Sequence, residues 1–106
     1  MTSQRTGDQL LTMLSALANP HRLRILAALS ERQAYVSELA RELKMSRPLL
    51  HMHLQQLERA GLVTGRHEVS ADGKALRYFE VTAFAEELTP EGIAEAVRTL
   101  TAQPKS

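Results

Sequence analysis

Between positions 46 and 55 the chain gathers Ser46, Arg47, Pro48, His51, Met52 and Gln55, side chains suited to reading a nucleic-acid groove. Leu50, Leu54 and Leu57 recur at helical intervals through the same stretch, so those six residues fall on the opposite, outward side of one helix. An arginine fork pairs bidentately with guanine or clamps a phosphate, and a glutamine amide pairs with an adenine edge. A serine at a helix start can donate to a phosphate already drawn to the free amides there. His51 can donate to either kind of acceptor, and Met52 offers an apolar contact for a thymine methyl.

A second group lies further on. Arg66, His67, Lys74 and Arg77 can supply charge to a phosphate backbone or minor groove, although Glu68 and Asp72 are interleaved with them. Arg66 and Lys74, read as close to a turn, are the stronger candidates. Net charge is only +1, but its distribution is uneven: positions 41–77 carry seven basic and four acidic residues, positions 80–106 two basic and five acidic. The middle of the chain is therefore the face expected to meet a polyanion.

Other chemistries find little support. The absence of Cys removes disulfides, thiolate ligands and thiol nucleophiles, and fits a reducing compartment. The five glycines form no phosphate-cradling loop: Gly61 reads as a helix end, Gly73 as a turn and Gly65 as a strand irregularity. No nucleophile with a base, paired carboxylates or cofactor fingerprint is present, so neither an enzyme nor a cofactor is expected. No apolar run approaches the roughly 20 residues of a membrane span, and the first residues are polar. A cytoplasmic protein with no membrane partner is the expectation.

The elements that position these groups are marked by their ends. Asp8 can cap a first helix carrying Leu10, Leu11, Met13, Leu14 and Leu17. Asn19-Pro20 starts a second, running to about Leu29, with Leu23, Ile25 and Leu26 inward and Arg22 and Arg24 outward. Ser37 caps a short third helix with Leu39, Ala40 and Leu43 on its apolar side, and Ser46 caps a fourth that Gly61 closes. About three residues separate these two, the spacing of a helix-turn-helix. Leu62–Val69 and Ala75–Thr82 then read as strands joined through Asp72-Gly73, and Thr89-Pro90 opens a last helix. The fold class is mainly α with a β-hairpin (α+β), in the order α-α-α-α-β-β-α, a winged helix-turn-helix. Residues 8–101 form one domain, between ends at 1–7 and 102–106 expected to be flexible.

The stretch Leu14-Ser-Ala-Leu-Ala-Asn-Pro-His-Arg-Leu-Arg-Ile-Leu26 resembles the second-helix signature of the ArsR-type family of bacterial and archaeal transcriptional regulators. Val36-Ser-Glu-Leu-Ala-Arg-Glu-Leu-Lys-Met-Ser46 and Leu54-Gln-Gln-Leu-Glu-Arg-Ala-Gly-Leu-Val63 resemble its helix-turn-helix, and the likeness runs from about Leu10 to Val81. It implies a homodimer on double-stranded operator DNA, joined through the first and last helices. Leu10, Leu11, Met13 and Leu14 at one end, with Ile93, Val97 and Leu100 at the other, are more apolar surface than a small core needs and fit that role. Two-fold symmetry then calls for a palindrome with half-sites ~34 Å apart, bound by a repressor.

Many members of the family are released from DNA by metal held at a Cys pair in the third helix or at His and acidic residues in the last. Here the third helix has no Cys and no His follows His67. His51 and His53, two apart on a helix, point to different sides, and His21 is read as an ordinary helix-start residue. No metal site is expected, and any inducer or co-regulator is unknown. The competing function is a winged helix used for protein contact in a larger assembly, for which exposed Leu49 and Met52 leave room.

Overall fold

Local capping chemistry sets nearly every helix start in the structure, a computed structural model that describes residues 5–101. Helix α1 (Gly7–Leu17) begins earlier than Asp8 suggests. Its cap is Thr6: the Thr6 hydroxyl accepts from the Gln9 amide at 3.1 Å, and the Gln9 side chain accepts from the Thr6 amide at 3.0 Å. This reciprocal box satisfies two orphan amides where Asp8 could satisfy one. Asp8 instead lies in the first turn, and its carboxylate accepts from the Thr101 amide at 3.0 Å. Of the ends expected to be flexible, 1–7 and 102–106, residues 1–4 and 102–106 lie outside the described residues. Arg5 is paired with Glu86 at 2.8 Å, and Gly7 is buried.

Helix α2 (Pro20–Glu31) is capped by Asn19, whose side chain accepts from the His21 and Arg22 amides at 2.9 and 3.2 Å, and it extends two residues past Leu29. This start fixes the helix phase. Arg22, Ile25, Leu26 and Leu29 share the inward stripe at helical spacing, and Leu23, expected inside, is 52% exposed. Arg22, expected outside, turns inward to the carbonyls of Ser15 and Ala16.

A two-residue strand β1 (Ala34–Tyr35) follows, which no local pattern signals. Helix α3 (Val36–Leu43) then starts before Ser37: extended Tyr35 is its cap residue, and the Glu38 carboxylate accepts from the Tyr35 amide at 3.1 Å. Ser37 is already within the first turn and does not cap. Lys44 closes α3 in the left-handed region at φ 55°. Helix α4 (Arg47–Arg59) is capped by Ser46, with Pro48 in its first turn and Gly61 at φ 76° just beyond its end.

Strands β2 (Val63–Val69) and β3 (Ala75–Val81) form the expected hairpin, and β1 pairs with the other side of β3, giving the order β1-β3-β2. The register runs unbroken from Val63 opposite Val81 to Val69 opposite Ala75, so Gly65 marks no irregularity. Its role is steric. Gly65 lies opposite Phe79, and a Cβ there would come within 2.7 Å of the Phe79 ring.

Helix α5 (Pro90–Val97), capped by Thr89, returns against the start of α1. Gly7 permits the close crossing: its amide donates to the Thr99 hydroxyl at 2.8 Å, and a Cβ would sit 2.3 Å from the Ala96 carbonyl. The core is contributed by Met13, Ile25, Leu39, Leu50, Leu54, Leu57, Leu62, Val63 and Phe79, all essentially sealed from solvent. No helix among the described residues is long and apolar enough to cross a membrane.

Candidate nucleic-acid interface

Helix α4 divides cleanly into two sides. Leu50, His53, Leu54 and Leu57 are buried. Ser46, Arg47, Pro48, Met52 and Gln55 are exposed, and His51 is half-buried at the margin of the same outward face. The six residues singled out by spacing are thus on the accessible side of one helix, held by a sealed leucine seam. The Ser46 hydroxyl accepts from the Leu49 amide at 3.3 Å, and its proton remains available to a phosphate.

Two cations missed in the sequence complete this face. Arg41 and Lys44 join Ser37, Ala40, Met45 and Arg47 around a shallow groove where α3 meets the start of α4. Three positive side chains beside a helix N-terminus make an anion-attracting surface. The signal was present in the helix-turn-helix spacing, since the left-handed turn at Lys44 brings the end of one helix alongside the start of the next.

The hairpin is organised differently from the expectation. Arg66 is not at the tip: it lies opposite Tyr78, and the turn spans the residues between Val69 and Ala75. Its guanidinium pairs with Glu68 at 3.1 Å and Glu80 at 3.3 Å and lies over the Tyr78 ring at 4.4 Å. The bond to Glu68 raises the Arg66 pKa further above its ordinary value. Hydrogen bonds from Arg66 and then Tyr35 hold the Glu68 carboxyl below its ordinary range, and the same bond to Glu68 pushes the Tyr35 phenol up.

Arg77 reaches towards Glu58 of α4 at 3.5 Å, with its guanidinium 5.1 Å from the centre of the Phe79 ring. Both arginines therefore already have carboxylate partners within the protomer. Lys74, exposed at the turn, is the cation best placed to reach a backbone.

The apolar residues assigned to pairing also divide. Leu10 and Met13 are buried in the protomer's own core, because α1 presents them to the other helices. Leu14 and Leu100 are half-buried. Leu11, Ile93 and Val97 stay 52%, 46% and 54% exposed, and α5 buries only Ala96.

A helix-turn-helix whose second helix presents polar side chains outward, followed by a hairpin packed beside it, defines a winged-helix DNA-binding module. The profile of the family described as bacterial regulatory protein, arsR family, matches residues 19–64. The chain is 35% identical over 83 residues to the transcriptional activator HlyU of Vibrio cholerae, covering 78% of this chain and 77% of HlyU. It is 47% identical over 51 residues to an uncharacterized HTH-type transcriptional regulator of Methanocaldococcus jannaschii, spanning 48% of this chain and about half, 54%, of that relative. Among solved structures, the homodimeric winged helix-turn-helix DNA-binding domain of a possible ArsR-family regulator from Mycobacterium bovis superposes with a TM-score of 0.63 at 31% identity. That likeness covers 70% of this chain and 64% of the other. The chain belongs to the ArsR family of transcriptional regulators.

Proposed function

We propose that this protein is a homodimeric repressor that occupies a palindromic operator, acting in the cytoplasm without the metal-sensing site common in its family. The observation that carries the reading is the outward face of α4, where Arg47, Met52 and Gln55 stand clear of the protomer beside the cationic groove of Arg41 and Lys44. Arg47 and Gln55 are assigned to base edges and Ser46 to a phosphate, with His51 and Met52 completing the groove contact. Lys74 supports from the wing, and Arg66 and Arg77 contribute by exchanging a carboxylate partner for phosphate. Pairing runs through Leu11, Ile93 and Val97, flanked by Leu14 and Leu100, and the homodimeric mycobacterial domain supports it. Independence from metal is read from the absence of Cys in the sequence and of any His after His67.

Repression follows from occupancy, because a small dimer seated on a promoter excludes other proteins from the same DNA. Titrating the protein into its own upstream fragment and into random duplex at several salt concentrations tests the DNA reading. A large preference for the upstream fragment with a steep salt slope is expected, whereas equal, weak binding to both sinks it. A reporter driven by that fragment should fall when the protein is expressed; a rise means activation, the role in HlyU's name.

Arg47→Ala should weaken the specific complex by about 1–3 kcal/mol and the random one by less, if Arg47 reads a base. Equal losses in fluorescence anisotropy would reduce Arg47 to a phosphate contact.

A further inference from the structure

The buried side of α4 carries one polar residue, His53, only 3% exposed. Its Nδ1 lies 3.1 Å from Nη1 of Arg22. A guanidinium only donates, so Nδ1 must be the acceptor and the ring proton must sit on Nε2. That nitrogen is itself buried without a partner. Arg22 does more than meet His53: its Nε donates to the Ala16 carbonyl at 2.6 Å and its Nη2 to the Ser15 carbonyl at 3.4 Å. Those carbonyls belong to the last turn of α1, where the helix has no amides left to offer them. One side chain of α2 thus ties the end of α1 to the inner face of α4.

We propose that the Arg22–His53 contact is a positioning strut for the DNA-reading helix, and that protonation of His53 releases it, so that specific DNA binding weakens in acid. The inference rests on the DNA-binding role proposed above. Protonation would turn Nδ1 from acceptor to donor and set an imidazolium against a guanidinium with almost no water between them. The contact must then open, and α4 shifts relative to α1 and α2, carrying His51, Met52 and Gln55 with it.

Burial first, then the charge of Arg22, then His21 push the His53 pKa below its ordinary value. Those two groups, both on α2, are the charged or titratable ones acting on the ring, and the His21 ring lies 5.4 Å from it, centre to centre. No such group from α1, α3 or β2 acts on it among the described residues. The unfolded chain therefore binds the proton more readily than the folded one. The folding stability that neutral His53 contributes is whole above about pH 6.5 and falls as pH drops from there towards the depressed folded-state pKa, whereas in the folded protein the strut itself opens only as pH passes below that lower value.

The experiment compares wild type with His53→Asn, whose Oδ1 can accept from Arg22 near the place of Nδ1 and does not titrate. Affinities for the upstream fragment and for random duplex are measured from about pH 8 to about pH 5. In wild type the preference for the upstream fragment should decline, by up to about tenfold per pH unit below the folded-state pKa. In the variant that decline should be missing, leaving only the pH dependence that both proteins share. The remaining histidines are common to both proteins, so the difference between the two profiles isolates position 53.

Identical profiles overturn the strut and leave the DNA reading intact. Absence of binding to either duplex at the alkaline end overturns the DNA reading and the strut's role in it together. NMR of the wild-type ring nitrogens keeps the inference falsifiable if His53→Asn does not fold. The proton should be on Nε2 at neutral pH, and a proton on Nδ1 overturns the strut.

Discussion

Ile93→Glu combined with Val97→Glu is expected to convert a dimer into a folded monomer that binds its operator about 10²–10⁴-fold more weakly. Helix α5 buries only Ala96, leaving Ile93 and Val97 one turn apart in solvent, with exposed Leu11 on α1. A helix that leaves most of its apolar side uncovered is stabilised by a partner, and α5 is already locked to α1 through the close crossing at Gly7. Two-fold pairing would bring four introduced carboxylates together next to the native Glu91 and Glu95, where like charges repel in a desolvated setting. A monomer holds one half-site and loses the linkage that makes binding of the second nearly unimolecular. Sedimentation gives the oligomeric state, circular dichroism the fold and anisotropy the affinity. A variant that remains dimeric would remove α5 from the interface.

Phe79→Ala is expected to lower the unfolding free energy by about 3–5 kcal/mol, a large part of the roughly 5–15 kcal/mol available to a domain of this kind. Phe79 is 2% exposed and central in the sheet, opposite Ala34 on one side and Gly65 on the other. Its ring covers Gly65 and lies beneath Arg77, so truncation opens a cavity where wing and helices meet. Gly65→Ala attacks the same contact from the other side, forcing a methyl against the ring at a cost of about 1–3 kcal/mol. The two changes should not add. With the ring gone, the Gly65 methyl has room, and the double variant should be more stable than the sum of the single losses implies. Urea unfolding of the four proteins measures the coupling, and strict additivity would mean that the ring and Gly65 do not meet.

What was readable in advance was whatever the chain decides within a few residues. Asn19, Ser46 and Thr89 cap the helices they were expected to cap, and Gly61 and Gly73 stand at positive φ where a helix end and a turn require it. The outward face of α4 followed from its leucine spacing for the same reason. The misreadings are residues whose fate depends on distant partners. Arg22, outward on the sequence reading, is received instead by the unpaired carbonyls at the end of α1 and by the ring of His53. Strand β1 exists because β3 offers a free edge, which no pattern at Ala34–Tyr35 reveals. Arg66 and Arg77 looked available until folding brought Glu80 and Glu58 beside them. His53 was legible after all: with Leu50 and Leu57 it keeps the three-and-four spacing of the buried stripe.

The strand order β1-β3-β2 leaves β2 as an open rim, a row of amides and carbonyls that another chain could extend. Its middle is Gly65, Arg66, His67 and Glu68, with valines only at the ends. A second copy laid along this rim would set charged residues against charged residues and meet a glycine where a β-branched side chain would grip. The charges along this rim therefore discourage fibre growth at high concentration, keeping the long open edge of the sheet from recruiting its own kind.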